Sequence, residues 1–156
     1  MFRRPRQEAT HVHAHQSRRQ PSRPASRAGT QSGRTTEIVL AENSESAAVE
    51  TVQHQVDAYN RRDLPAFLAT YSESIRVYRM PSVEPALSGK AAFGEFYRTQ
   101  RFNLPGLRAE ILQRIATGNK VIDHERISGL GEQPIEAVAV YEVIGGVIDR
   151  VWFFYP

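Results

Sequence analysis

The amino-acid sequence predicts an α+β fold, with three N-terminal helices packed on one face of a curved antiparallel sheet. Three observations predict it. Apolar residues recur at the helical spacing of three and four over residues 46–100, interrupted by one alternating stretch. From residue 107 onward, four segments of eight to ten residues are rich in β-branched and aromatic side chains. Gly118-Asn119 and Gly145-Gly146 separate these segments in pairs, and such dipeptides accept the positive φ angles of a two-residue hairpin.

The first helix is expected over residues 46–60, where Val49, Val52, Val56 and Tyr59 form one apolar stripe and Ser46 with Glu50 is a loose cap signal. Asp63 caps a second, short helix over Leu64–Tyr71, with Pro65 early, where its missing N–H costs nothing. Residues 75–80 alternate and read as a strand, and Pro81 and Pro85 bracket a loop. A third helix, residues 89–100, turns Phe93, Phe96 and Tyr97 inward. Strands are expected over 107–116, 119–128, 135–144 and 147–154.

Residues 1–45 differ in kind. Residues 1–36 hold eight arginines and one acid, Glu8, a net +7, whereas residues 37–156 are net −4. The segment has few large apolar residues and many Arg, Ser, Pro and Gln, so it is expected to be a disordered basic tail preceding a 46–156 domain. Its His11, His13 and His15 read as an accident of composition rather than a metal site. The start also has the Arg- and Ser-rich, acid-poor look of a transit peptide, or of a start codon placed too early, though its prolines oppose an amphipathic helix. The acidic remainder argues against a specific nucleic-acid-binding domain.

No cysteine is present, which removes disulfides, thiolate metal sites and a cysteine nucleophile. No stretch has the ~18 apolar residues of a membrane span, and no secretory signal follows the N-terminal charges, so a cytoplasmic location is expected. No phosphate-binding glycine loop, nucleophile elbow or convergent metal set occurs in the domain, and no cofactor is expected.

The segment Val121–Ile127 concentrates the chemistry, with Asp123, His124, Glu125 and Arg126 in a row. A strand sends alternate side chains to opposite faces, so Asp123 and Glu125 part from His124 and Arg126. A two-residue turn at Gly118-Asn119 pairs Thr117 with Lys120, Ile115 with Ile122, Gln113 with His124 and Ile111 with Arg126, and sets Arg114 opposite Asp123. Leu107, Ala109, Ile111 and Ile115 form the apolar side. Gln113, His124 and Arg126 are therefore expected on the concave face, with Asp123 and Glu125 on the convex one; a bulge would reverse this. The second turn pairs Val143 with Ile148, Tyr141 with Arg150 and Ala139 with Trp152. Its other face, Val138, Val140, Val151 and Phe153, is expected to form a homodimer interface. Glu142 falls opposite Asp149, a like-charge pair that speaks against this register or for a basic partner.

Ala-Tyr-Asn-Arg-Arg-Asp-Leu at 58–64, Phe67, Tyr71, the Arg76–Met80 strand, Leu87-Ser88-Gly89-Lys90, Phe96-Tyr97 and Gly-Gly-x-Ile-x-x-Val-Trp-Phe at 145–153 resemble the nuclear transport factor 2-like superfamily. That group includes SnoaL-like cyclases and ketosteroid isomerases. The resemblance covers residues 46–155 and implies a cone-shaped, cystatin-like sheet around a pocket, and a homodimer. It does not fix function. Where the isomerases carry a catalytic tyrosine, a general-base aspartate and a protonated aspartate, this chain has Gln55, Arg79 or Met80, and Ala139. All three roles are vacant.

The expected pocket lining is Gln113, His124, Arg126, Tyr141, Arg150 and Trp152, with Tyr59, Tyr78 and Arg79 from elsewhere. A small hydrophobic or anionic ligand fits that lining. Two readings follow. The vacant acid roles favour a non-catalytic ligand-binding or dimerisation module. The alternative is an acid–base enzyme (isomerase, cyclase, dehydratase or hydrolase) acting on a polyketide- or steroid-like molecule, with His124 as acid or base.

Overall fold

The computed structural model describes residues 31–156. Their order is α1 (Gln31–Arg61), α2 (Leu64–Ala69), β1 (Tyr71–Arg79), β2 (Pro85–Ser88), α3 (Lys90–Gln100), β3 (Arg108–Thr117), β4 (Lys120–Ser128), β5 (Ile135–Ile144) and β6 (Val147–Phe154). Three helices and a curved sheet are the predicted α+β architecture.

The helix α1 starts at Gln31, fifteen residues before the expected start at Ser46. The extension exposes Ile38, Val39 and Leu40, so its helicity draws on the helix behind it rather than on burial. The inner stripe begins at Ala48 and continues through Val52, Gln55, Val56 and Tyr59. What was expected of residues 1–30, the histidine triplet included, lies outside the described residues.

Asp63 caps α2 by accepting the Ala66 N–H at 3.1 Å, with Pro65 in the first turn. The helix ends at Ala69, and Tyr71 opens β1 instead of closing α2. Phe67 and Phe93, both fully buried, stack 5.6 Å apart at the centre of the core. Burying each contributes about 2–3 kcal/mol relative to exposure.

The six strands lie in the order β2-β1-β6-β5-β4-β3. All neighbours are antiparallel except β1 and β6, which run parallel. The sheet is therefore mixed rather than purely antiparallel: α3 carries the chain from β2 to β3 at the far edge, and β6 comes back beside β1 in the same direction.

Two bulges set the register. In the first hairpin Thr117↔Lys120, Ile115↔Ile122, Gln113↔His124 and Arg114↔Asp123 pair as expected. Leu112 then takes no partner, and Ile111 faces Glu125 rather than Arg126. One extra residue exchanges the faces of everything beyond it. Ala109 and Ile111 consequently share the inner face with Arg114 and Ala116, while Ile115 is exposed. In the second hairpin Val143↔Ile148 holds, Asp149 is skipped, and Glu142 pairs with Arg150. The like-charge clash disappears: Glu142 bonds Arg150 at 3.2 Å, and Asp149 accepts from Ser72 and Ser74 at 2.7 and 2.9 Å.

Asn60 ties α1 to the sheet edge. Its amide donates to the Ala109 carbonyl at 2.9 Å and accepts the Ala109 N–H at 2.8 Å.

Candidate functional site

Between the helices and the inner face of the sheet lies a cavity of about 400 Å³, within the size range of small-molecule sites. Helix α1 supplies Gln55, Val56 and Tyr59, and α3 supplies Phe96 and Tyr97, followed by Arg101. The strands supply Val77, Arg79, Leu87, Ala109, Glu125, Ile127, Tyr141 and Phe153, with Tyr155 beyond β6. Glu125, Tyr141 and Gln55 are almost wholly buried at the floor, whereas Arg79 and Tyr155 are exposed at the rim.

The register explains why Glu125 is there. On β4 the inner residues are Val121, Asp123, Glu125 and Ile127, all buried, and the outer ones Ile122, His124 and Arg126. The facing strand β5 places Ala139 against Asp123 and Ala137 against Glu125. Two small side chains leave room for two carboxylates and for the cavity.

The two carboxylates differ sharply. Asp123 receives both arms of the Arg114 guanidinium, at 2.6 and 2.7 Å. Arg114 in turn reaches Gln53 at 2.8 Å. Glu125 has no hydrogen-bond or ion-pair partner among the described residues. Burial pushes its carboxyl up to about 7, and the nearby charge of Asp123 adds to the shift. Burial also raises the phenols of Tyr59, Tyr97 and Tyr141, which stay neutral O–H donors. Burial raises the Tyr71 phenol too, with the Gln55 amide opposing the shift, and Gln55 Oε1 is buried without a partner.

The sequence-expected residues divide. Tyr59, Arg79 and Tyr141 line the cavity together. His124, Gln113 and Arg126 do not; the bulge at Leu112 puts them on the outer face, opposite to expectation. There His124 and Arg126 both bond Glu136, at 2.9 and 2.8 Å. Arg150 and Trp152 are also outside, because the skipped Asp149 shifts them one position. Arg150 is held by Glu142, and Trp152 stacks at 5.7 Å on Tyr78, which also stands outside the cavity against expectation. The same shift moves two of the four expected interface residues: Val151 is in the core and Phe153 lines the cavity, while Val138 and Val140 remain outside.

Sequence reasoning missed Glu125, Arg101, Tyr97 and Tyr155. For Glu125 a signal existed in the alanines of β5, whose alternation with Val138 and Val140 marks the face that needs room. Gln55 and Ala139, which the resemblance set at the isomerases' tyrosine and aspartate positions, are buried and face inward; the cavity's carboxylate is Glu125 of β4.

No three His, Asp or Glu side chains converge among the described residues, and no helix there is long and apolar enough to cross a membrane.

The family model for a SnoaL-like domain matches residues 52–151. No curated protein matches the sequence significantly. Among solved structures, a Kribbella flavida protein described provisionally as a ketosteroid isomerase superposes with a TM-score of 0.62 at 22% identity, covering 72% of this chain and 79% of that one. A SnoaL-like protein of unknown function from Burkholderia thailandensis gives 0.61 at 21%, covering 72% and 96%. A computationally designed 17-OHP binder gives 0.62 at 15%, covering 70% and 91%. At these identities the likeness is one of fold.

Proposed function

The chain belongs to the SnoaL-like domain family, and on that premise we propose that it binds a small, largely apolar molecule and moves a proton on it through Glu125. The observation that carries this reading is an unpartnered carboxyl, buried in an aromatic-lined cavity and held near a pKa of 7. A group poised there is a competent base and a competent acid at neutral pH. Glu125 takes a proton from an acidic C–H or O–H and returns it elsewhere on the same molecule or to a departing hydroxyl. The neutral tyrosine hydroxyls supply donors for the negative charge that develops. Gln55 Oε1 offers an acceptor to a donor group on the ligand. The reaction class is an isomerisation or elimination, with Glu125 in the role first expected of His124.

The test needs no knowledge of the natural substrate. A panel of small cyclic and aromatic ketones in D₂O is followed by proton NMR for exchange of the α-hydrogens. The wild type is expected to accelerate exchange of some members, and Glu125→Gln to abolish it. A wild type that is no faster than Glu125→Gln on every ketone rejects the catalytic reading and leaves a binding module.

The outer sheet face carries Val138, Val140, Tyr78, Trp152 and Phe154, rimmed by the Glu136 and Glu142 ion pairs. We propose it as the homodimer surface, with Tyr78, Trp152 and Phe154 replacing the inward-facing Val151 and Phe153 of the sequence expectation.

A further inference from the structure

We infer that the cavity takes an amphiphilic carboxylate, its apolar body inside and its anionic head held at the rim by Arg79 and Arg101. The inference rests on the cavity being a ligand site and not on proton transfer by Glu125.

Arg79 and Arg101 line the same cavity. Neither has a carboxylate partner among the described residues. Arg79 makes no side-chain hydrogen bond; its guanidinium lies over the Tyr155 ring, 5.8 Å from the centroid. Arg101 donates only to the Gln100 carbonyl, at 2.9 Å, and lies over the Phe96 ring at 4.8 Å. Among the other described arginines, Arg98, Arg114, Arg126 and Arg150 each find an acid, while Arg61, Arg62, Arg76 and Arg108 form no ion pair but do not line this cavity. Ring faces position the two rim arginines without using their N–H donors in the ring plane. Those donors are free for a planar oxyanion, to which a guanidinium fork is matched.

The charge pattern also sets the direction. Both guanidiniums act on the Tyr155 phenol, while the causes acting on Glu125 are burial and Asp123 alone. The cavity is cationic at its mouth and acidic at its floor. An anionic head at the floor would meet the Glu125 carboxyl in a poorly solvated space; at the mouth it meets two unpaired cations. Between the ends, Val77, Leu87, Phe96 and Ile127 ask for an apolar body.

Three probes with one body and different heads test this: 4-phenylbutyrate, 4-phenylbutanol and 4-phenylbutylamine, titrated calorimetrically into the full chain at low and high salt. The carboxylate is expected to bind about tenfold more tightly than the alcohol at low salt, and the margin to shrink as salt rises. Arg79→Gln and Arg101→Gln are each expected to reduce that margin several-fold with unchanged melting temperature, since neither side chain supports the core. Glu125→Gln is expected to keep it, which separates failure here from failure of the proton-transfer reading. No binding of 4-phenylbutyrate at millimolar concentration, equal affinity for the alcohol, or a margin that survives both arginine substitutions overturns the inference.

Discussion

Asp123 and Glu125 leave β4 on the same inner face, two residues apart, and only Asp123 has a counter-ion. The Arg114 fork is spent on Asp123, so Glu125 stays uncompensated at the cavity floor. Its proton affinity follows from that division: burial disfavours its charged form, and the retained charge of Asp123 disfavours it further.

Stability should therefore fall as pH rises through a defined window. The folded pKa of Glu125, about 7, lies above the 4.5 of the same carboxyl in the unfolded chain. Below 4.5 both folded and unfolded chains hold the proton and no penalty applies. Between 4.5 and 7 the unfolded chain loses the proton first, and stability drops; above 7 the loss is complete, at about 3 kcal/mol. Glu125→Gln should flatten this part of the profile and melt higher than wild type at pH 8. Chemical denaturation across pH 4–8 reads both effects, and parallel wild-type and variant profiles would refute the assignment.

Arg114→Ala should be strongly destabilising, by about 3–5 kcal/mol, because it strands the fully buried Asp123 charge. Replacing both partners, Arg114→Met with Asp123→Leu, should recover much of that. Asp123→Asn should instead lower the Glu125 midpoint from about 7, seen in carboxyl-carbon NMR, since it removes the repelling charge and frees Arg114.

Asn60 makes two bonds to one backbone residue, Ala109, and so fixes α1 against the edge strand that forms one cavity wall. Asn60→Ala leaves a partly buried donor and acceptor unpaired, and should lower stability by about 2 kcal/mol. Asn60→Asp should not rescue it, because the donor to the Ala109 carbonyl is gone.

Gly129 has φ +83° and packs against the Gly106–Leu107 backbone so closely that a Cβ would overlap the Gly106 carbonyl and the Leu107 amide. Gly129→Ala combines that overlap with a strained φ and should destabilise by about 3 kcal/mol. It should also disturb neighbouring Leu130 at the cavity. Thermal melts and ligand titration measure the two consequences.

If the outer sheet face joins two copies, the wild type sediments as a dimer at micromolar concentration, and Val140→Glu converts it to a folded monomer. A wild-type monomer at that concentration removes the interface proposal.

The likeness at residues 58–64 and 145–153, the helical stripes and the two glycine turns were legible in the sequence because each is local. They determine element type, turn position and hence the α+β class. The Arg114–Asp123 pair was legible for the same reason, since it lies within five residues of its turn. The faces were not. Leu112 and Asp149 bulge out where sequence alternation continues undisturbed, and the local hints were the clash of Glu142 with Asp149 and the alternating alanines of β5. Each bulge inverts every side chain beyond it, which is why His124, Arg126, Arg150 and Trp152 exchanged places with Glu125 and Phe153. Local periodicity determined the strands by itself; only the tertiary structure, by packing Ala137 and Ala139 beneath the helices, decided that a glutamate and not a histidine faces the cavity.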